Sequence, residues 1–547
     1  MKIKNLFVGM LAGAAMVACT NEEFESGVNN GAIQAGDQAF VAVNIFAPGV
    51  TRAFDPGTEA ESAVRDAIFL FLDGNYKGCA EPCYVTSDKL SWSTDGVADH
   101  QTKKGTTLVI NGIEDEVPAY IVAILNPINK NAYNAKTSLK QLKAEYANYA
   151  SAENGGYFVM SNAVYAADNK EEVVATPIAL ENIAHTREEL QNDSYKPVSI
   201  QVERTVGKVA VNNLDAAIST LNTTGLTETI DDSESMKLKF VLTGWEVLQN
   251  KATNLIKNID ASEWTIKNLA NLDDASFYKW NWNDLGRRRS YWANDNKSKD
   301  RYAYKVEAMS NAASKYVEET VNQVATAADA LDNDSPYLLV SGKFVDAKTN
   351  AAVDLVEWRG QKYTEKGYLN LIAGMESVSQ YYYIDGKDAD GNNVYKSFKA
   401  DFLEMVDNNS NDWGATAMLK SDAPQFYTVT FEDDGKTIVN EATTAAIADV
   451  KAAIAEFGEV QYWNGGNTYY FVPIKHQAND AETNFYGVVR NHCYQMNISK
   501  INGYGTPVAN PGQAIDQPEK PTEDDSYMNA EVVILNWNVI ANDNVEL

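Results

Sequence analysis

Between Thr506 and Ser526 the chain carries Pro507, Pro511, Pro518 and Pro521, and just beyond lies an apolar run, AEVVILNWNVI, from Ala530 to Ile540. Proline has no amide hydrogen for a sheet ladder and holds the backbone extended, so this stretch cannot form a sheet interior and runs as an open tether. In the run after it, Val533, Leu535, Trp537 and Val539 alternate with Ile534, Asn536 and Asn538, the period-two pattern of a strand with one strongly buried face. Docking four such side chains supplies about 6–12 kcal/mol before ordering costs. The spacing admits two arrangements: a strand carried out of its own domain on a tether, or a last strand that folds back after a long loop.

The other end of the chain supplies a complement. Lys2 and Lys4 precede an apolar run from Leu6 to Ala18 that is too short to span a bilayer and ends in Met-Val-Ala-Cys at Cys19. This reads as a lipoprotein signal with Cys19 as the acylated residue. Residues 1–19 are the signal, and Asn21-Glu22-Glu23 resembles the surface-export signals of Bacteroidetes lipoproteins. In FVAVNIFAPGVTRAFDPG, Val41, Val43 and Ile45 face one way in a strong first strand that ends at Pro48-Gly49. Arg52 follows, with Ala53 after it, in a Pro-, Gly- and Asp-containing segment whose composition argues exposure. A cut there by an Arg-specific protease removes the anchor and the first strand together. The first domain then has two unpaired strand edges over an apolar floor, a gap that a strand from a neighbouring molecule can fill.

On these residues the chain resembles the major fimbrial subunits of Bacteroidetes, the fimbrilins that build type V pili. The resemblance rests on the lipobox at Cys19, TRA at Thr51–Ala53, YFVMSNAVY at Tyr157–Tyr165, and VERTVGKVAV at Val202–Val211. FVLTGWEVLQN at Phe240–Asn250, the GVVRNH block and the final NWNVIANDNVEL complete it. It implies a lipoprotein precursor at the outer membrane and removal of the first strand by an Arg-specific surface protease at Arg52. It also implies replacement of that strand by the carboxy-terminal strand of the next subunit. Arg65 is a weaker cut site, because cleavage there intrudes on the AIFLFLD strand. The implied partners are further copies of the chain, anchor and tip subunits, and the protease; the implied role is the shaft of a cell-surface fimbria that supports adhesion and biofilm formation.

Composition agrees. The 547 residues suffice for two or three cores, and 29 tyrosines and 10 tryptophans suit sheets. With 75 acidic against 46 basic residues the net charge is −29, which disfavours nucleic acid and anionic membrane surfaces as partners. The expected class is all-β: two transthyretin-like, Greek-key β-sandwich domains with a few short helices and a carboxy-terminal extension strand. Residues 20–52 form the propeptide, 53–213 the first sandwich, 214–505 the second, and 506–547 the tether and donor strand. AIFLFLD, AYIVAILNP and PVSIQVERTVGKVAVNN read as strands of the first, and SPYLLVSGKFVDA, EKGYLNLIA, YYYIDG and TYYFVPI as members of the second. LKQLKAEYANYAS is the one convincing helix.

Nothing in the chain points to catalysis, a cofactor or a metal. Only four histidines occur, and no HExxH, GxSxG or Walker loop. Asp385–Asn393 has the calcium-loop look but places Asn393 at position six and Lys399 at position twelve of a loop begun at Asp388. Cys79 and Cys83 could close a small disulfide, a demanding ring. Cys493 reads as a small buried residue, and His492 as a strand residue whose polar neighbours pin a loop. Residues 261–301 form an irregular insertion in which Arg287, Arg288 and Arg289 stand beside Tyr291 and Trp292, a local anion or glycan contact at most. The rival to the fimbrial reading is a surface glycan-binding lipoprotein of a nutrient-uptake system, which keeps both its lipid and its first strand.

Overall fold

The computed structural model describes residues 33–48, 61–93, 101–147, 156–211, 236–257, 301–324, 335–474, 484–515 and 527–536, apart from a few short internal breaks. The chain is all-β in several sheets, with short helices between them. In the first unit the strand order is Cys83–Thr86, Asp66–Leu72, Tyr120–Leu125, Met160–Asn162, Val198–Arg204, Ala39–Pro48, Gln101–Ile110, Ser91–Ser93. Asp66–Leu72 is buried along its whole length. Ala67, Phe69 and Phe71 face the first core, whereas Ile68, Leu70 and Leu72 join a second cluster with Leu142, Leu255, Ile256 and Val489. A strand covered on both faces has no polar side to show, which is why AIFLFL lacks alternation.

At Thr205 the extended segment changes sheets. Val198–Arg204 belongs to the first sheet, and Val206–Val211 pairs with Ser314–Glu318 and with His492–Asn502 in a second. The stretch expected to close the first sandwich at residue 213 thus contributes Val206–Val211 to the next one. That second sandwich sets the order Ser314–Glu318, Val206–Val211, His492–Asn502, Tyr527–Asn536 beside the order Leu238–Leu248, Tyr337–Asp346, Asn467–Pro473, Thr506–Pro507. Its core holds Phe240, Trp245, Leu338, Val340, Phe344, Trp463 and Tyr494. The buried indoles are satisfied: Trp245 Nε1 donates to Ala312 O at 2.7 Å and Trp463 Nε1 to Tyr504 O at 3.0 Å.

Between Tyr337–Asp346 and Asn467–Pro473 the chain makes an excursion with its own core. A five-stranded sheet (Gln361–Thr364, Leu355–Trp358, Glu459–Trp463, Gly414–Leu419, Leu403–Asp407) and a four-stranded one (Asn393–Ser397, Tyr381–Lys387, Phe426–Thr428, Thr443–Thr444) are joined by helices Glu365–Gly374, Glu376–Ser379 and Ile447–Ala455. EKGYLNLIA, expected as a strand, is the first of these helices. Thr364 caps it, accepting from Gly367 N at 3.0 Å, and the buried residues Tyr368, Leu369, Ile372 and Ala373 fall on one helical face. The helix expected over LKQLKAEYANYAS is shorter, Leu139–Ala144, with a Ser138–Gln141 capping box; Tyr146–Ala147 leaves it to pair with Thr253–Asn254. Among the described residues no helix is long and apolar enough to cross a membrane. The irregular insertion over 261–301 lies outside the described residues, except Arg301.

Candidate functional site: the terminal strands and the domain junction

The first strand lies inside its sheet, not on an edge. Ala39–Pro48 runs antiparallel to Gln101–Ile110 in an unbroken ten-residue register, Ala39 against Ile110 through Pro48 against Gln101. On its other side it runs parallel to Val198–Arg204, with Val43 opposite Val198 and Phe46 opposite Gln201. Ala39, Val41, Val43 and Ile45 are sealed in the first core. At about 1.5–3 kcal/mol each, the three larger side chains contribute roughly 5–9 kcal/mol of burial. A strand so placed cannot leave without exposing two ladders and an apolar floor. Cys19, Arg52 and Ala53 lie outside the described residues.

The last strand is placed differently. Tyr527–Asn536 sits at the edge of the second sandwich, antiparallel to His492–Asn502, from His492 opposite Asn536 to Asn502 opposite Tyr527. The register slips between Ile498 and Lys500. The strand begins earlier than the expected Ala530 and has one ladder where Ala39–Pro48 has two. Val533 stands opposite Gln495 and Leu535 opposite Cys493, whereas Trp537 and Val539 lie outside the described residues. The open tether expected from Thr506 onward does not begin there: Thr506–Pro507 pairs with Asn467–Pro473, and Val508, Ala509 and Ile515 are buried, because this stretch packs against the second sandwich; the last strand likewise rests on its own domain.

Where the two sandwiches meet, the structure gathers a buried polar cluster that sequence reasoning left unassigned. Arg490 is fully buried. Its Nε donates to Glu319 Oε2 at 2.7 Å, Nη1 to Leu255 O at 3.0 Å and Nη2 to Asn254 O at 2.5 Å. Arg204, equally buried, donates from Nε to Glu61 O at 2.7 Å and from Nη1 to Asn491 Oδ1 at 3.0 Å. Lys208 Nζ lies 3.1 Å from Glu61 Oε1, and Lys257 Nζ lies 3.4 Å from Glu203 Oε1. Burial pulls the Lys257 pKa down, opposed chiefly by the Glu203 and Glu319 carboxylates. Charges removed from water at such cost persist only when paired, and here each cation meets a carboxylate or carbonyl. The GVVRNH and VERTVGK blocks are thus two halves of one knot. A legible sign was present, namely charged residues within segments that are apolar on both sides.

The turn at the centre of that knot is tight. Asn491 takes a φ of 60° and donates its amide to Val206 O at 2.7 Å. His492 Nδ1 lies 2.8 Å from Arg490 O, and the Tyr494 hydroxyl accepts from Val489 N at 2.7 Å. His492 therefore braces its own turn. A Cβ on Gly207 would overlap the Val488 side chain, so that position needs glycine for close approach.

The remaining expectations fall elsewhere. Cys79 and Cys83 are both buried in the first core, and no disulfide joins them. Cys79 N bonds to Phe71 O at 3.1 Å and Cys83 pairs with Phe69, so the backbone of Asp66–Leu72 holds each thiol against apolar neighbours. Asp388 Oδ1 accepts from Asp390 N at 2.9 Å and Asn392 N at 2.8 Å, an aspartate-capped hairpin turn. Among the described residues no group of three or more metal-ligating side chains converges.

Residues 461–543 match the family model of the carboxy-terminal part of the type IV major fimbrial subunit protein, fimbrillin. No curated protein matches the chain. Among solved structures, a putative cell adhesion protein from Parabacteroides distasonis is 10% identical, with 92% of this chain and 98% of that chain covered and a TM-score of 0.36. A putative cell adhesion protein from Bacteroides eggerthii is 8% identical over 93% and 98%, with a TM-score of 0.32. A fimbrial assembly protein from Parabacteroides distasonis is 11% identical over 75% and 100%, with a TM-score of 0.27.

Proposed function

We propose, from the premise that residues 461–543 are the carboxy-terminal part of a fimbrillin, that this chain is a shaft subunit of a cell-surface fimbria and assembles by exchanging strands. The observation that carries the reading is the unequal placement of its two terminal strands. Ala39–Pro48, upstream of Arg52, is central and paired on both sides, whereas Tyr527–Asn536 is an edge strand paired on one side. Loss of the first opens a groove with two ladders and an apolar floor. A strand that leaves a one-ladder edge for such a groove gains a second ladder and a buried face, so transfer between molecules runs downhill.

In this reading the precursor reaches the outer membrane with a lipid on Cys19. An Arg-specific surface protease cuts between Arg52 and Ala53, and the segment bearing Val41, Val43 and Ile45 leaves. The carboxy-terminal strand of the next copy then enters the gap, with Val533, Leu535, Trp537 and Val539 facing the floor. Presence of both a removable first strand and a donor strand supports a shaft position over an anchor or a tip.

The test is limited digestion of purified precursor with an Arg-specific protease, followed by mass analysis of the new amino terminus and electrophoresis of unboiled samples in SDS. A terminus at Ala53 with heat-labile ladders is expected. Clean cleavage without ladders at any salt concentration would sink strand exchange, and surface-isolated mature protein that retains acylated Cys19 would favour the glycan-binding lipoprotein.

A further inference from the structure

The chain just downstream of the processing segment is locked by side chains from both sandwiches. Glu61 is fully buried; its Oε1 meets Lys208 Nζ at 3.1 Å and accepts from the Tyr316 hydroxyl, while its carbonyl accepts from Arg204 Nε at 2.7 Å. Arg204 belongs to the first sheet, and Lys208 and Tyr316 to the second. Two residues on, Asn126 takes over. Its Nδ2 donates to Ala63 O at 2.9 Å and to Phe158 O at 2.9 Å, and its Oδ1 accepts from Arg65 N at 2.7 Å. Ser87 N closes the last position by donating to Arg65 O at 3.0 Å.

Arg65 therefore combines an accessible side chain with an immobilised backbone. Its side chain is 53% exposed, 3.4 Å from Asp66 Oδ2 and 5.2 Å from the Tyr157 ring centroid. A protease must draw several consecutive residues out of their hydrogen bonds before it can seat a peptide bond, so cleavage follows the free energy of local opening and not side-chain exposure alone. From Glu61 to Arg65 that opening breaks a buried ion pair, the Arg204 bond, both Asn126 clasps and the Ser87 bond.

We propose that Glu61 and Asn126 form a clamp that sets the downstream limit of amino-terminal processing by denying an Arg-specific protease the peptide bond after Arg65. The inference rests on the processing reading above and adds the specificity determinant. The clamp also protects Asp66–Leu72, the strand buried on both faces, and ties the retained chain start to both sandwiches at once.

The test uses the full-length precursor, wild type and two variants, with a limiting Arg-specific protease and intact-mass identification of each new terminus over time. Asn126→Gly removes both clasps, and glycine accepts the φ of 53° found there without strain. Glu61→Gln keeps the shape and removes the charge that pairs Lys208. Wild type should yield no fragment that starts at Asp66. Both variants should yield it at least about tenfold faster, while cutting after Arg359, exposed in a distant hairpin turn, keeps its wild-type rate. An Arg65 bond that stays resistant in both variants overturns the proposal, as does rapid cutting there in wild type. Equal acceleration at Arg359 would assign the effect to global unfolding and also overturn it. Resistance at Arg52 combined with Arg65 cleavage in the variants would uphold the clamp and reject processing at Arg52.

Discussion

A single carboxylate, that of Glu319, holds both the main chain and the side chain of Arg490: Oε1 accepts from Arg490 N at 3.0 Å and Oε2 from Arg490 Nε at 2.7 Å. Both residues are almost wholly buried, so neither charge has water to fall back on. Glu319→Ala should therefore cost about 3–5 kcal/mol, because it strands a buried guanidinium and an amide. Glu319→Gln should cost less, since an amide oxygen still accepts. Urea unfolding midpoints of the three proteins check the order, and an unchanged midpoint for Glu319→Ala would refute the junction's structural role.

Gly342 packs against the Phe240 ring in the second core, and an added Cβ would overlap it. Gly342→Ala should lose about 1–3 kcal/mol through forced displacement of an aromatic that packs edge-on against Phe344 and Tyr470. A thermal melt reads the loss, and near-ultraviolet circular dichroism should report disturbed aromatic packing.

Glu365 sits at the base of the excursion, where the Tyr462 hydroxyl donates to its Oε2 at 2.6 Å. Burial raises its pKa, and the Tyr462 bond only partly offsets that rise. A carboxyl whose folded pKa exceeds its unfolded value costs stability when ionised, above the folded pKa, and that cost disappears as pH falls through it. Glu365→Gln should therefore melt slightly higher than wild type at about pH 7, by well under about 1 kcal/mol given its partial exposure, and the gap should close near about pH 4. A gap that widens on acidification would reverse the sign and refute the argument.

Deletion of residues 530–547 removes most of the edge strand Tyr527–Asn536, which among the described residues pairs with no strand of the second sandwich except His492–Asn502. Stable monomers with a cooperative melt are expected, unable to form ladders after protease treatment. Trp537→Asp should weaken assembly by a few kcal/mol, since a charge would enter an apolar groove. Ladders from the truncated chain, seen in unboiled SDS gels, would contradict a donor role for this strand.

Much of the fold was legible along the chain because strands announce themselves locally. Val41, Val43 and Ile45 alternate and AIFLFL is apolar throughout, so the all-β class and the first strand's buried face followed from period and composition. EKGYLNLIA misled because a short apolar run fits a strand or a helix equally; the Thr364 cap and a one-sided core decided for the helix. For Cys79 and Cys83, sequence proximity says nothing of where backbone partners such as Phe71 and Phe69 hold each thiol.

The sequence by itself determined the all-β class and the buried face of the first strand; both follow from local periodicity and composition. Only the tertiary structure decided that the first strand is central while the last is an edge, that one segment changes sheets at Thr205, and that Glu61, Arg204, Glu319 and Arg490 meet in one buried knot. Pairing and burial of charge depend on contacts between residues as far apart as Glu61 and Tyr316, and no local pattern encodes which distant partner will neutralise which ion.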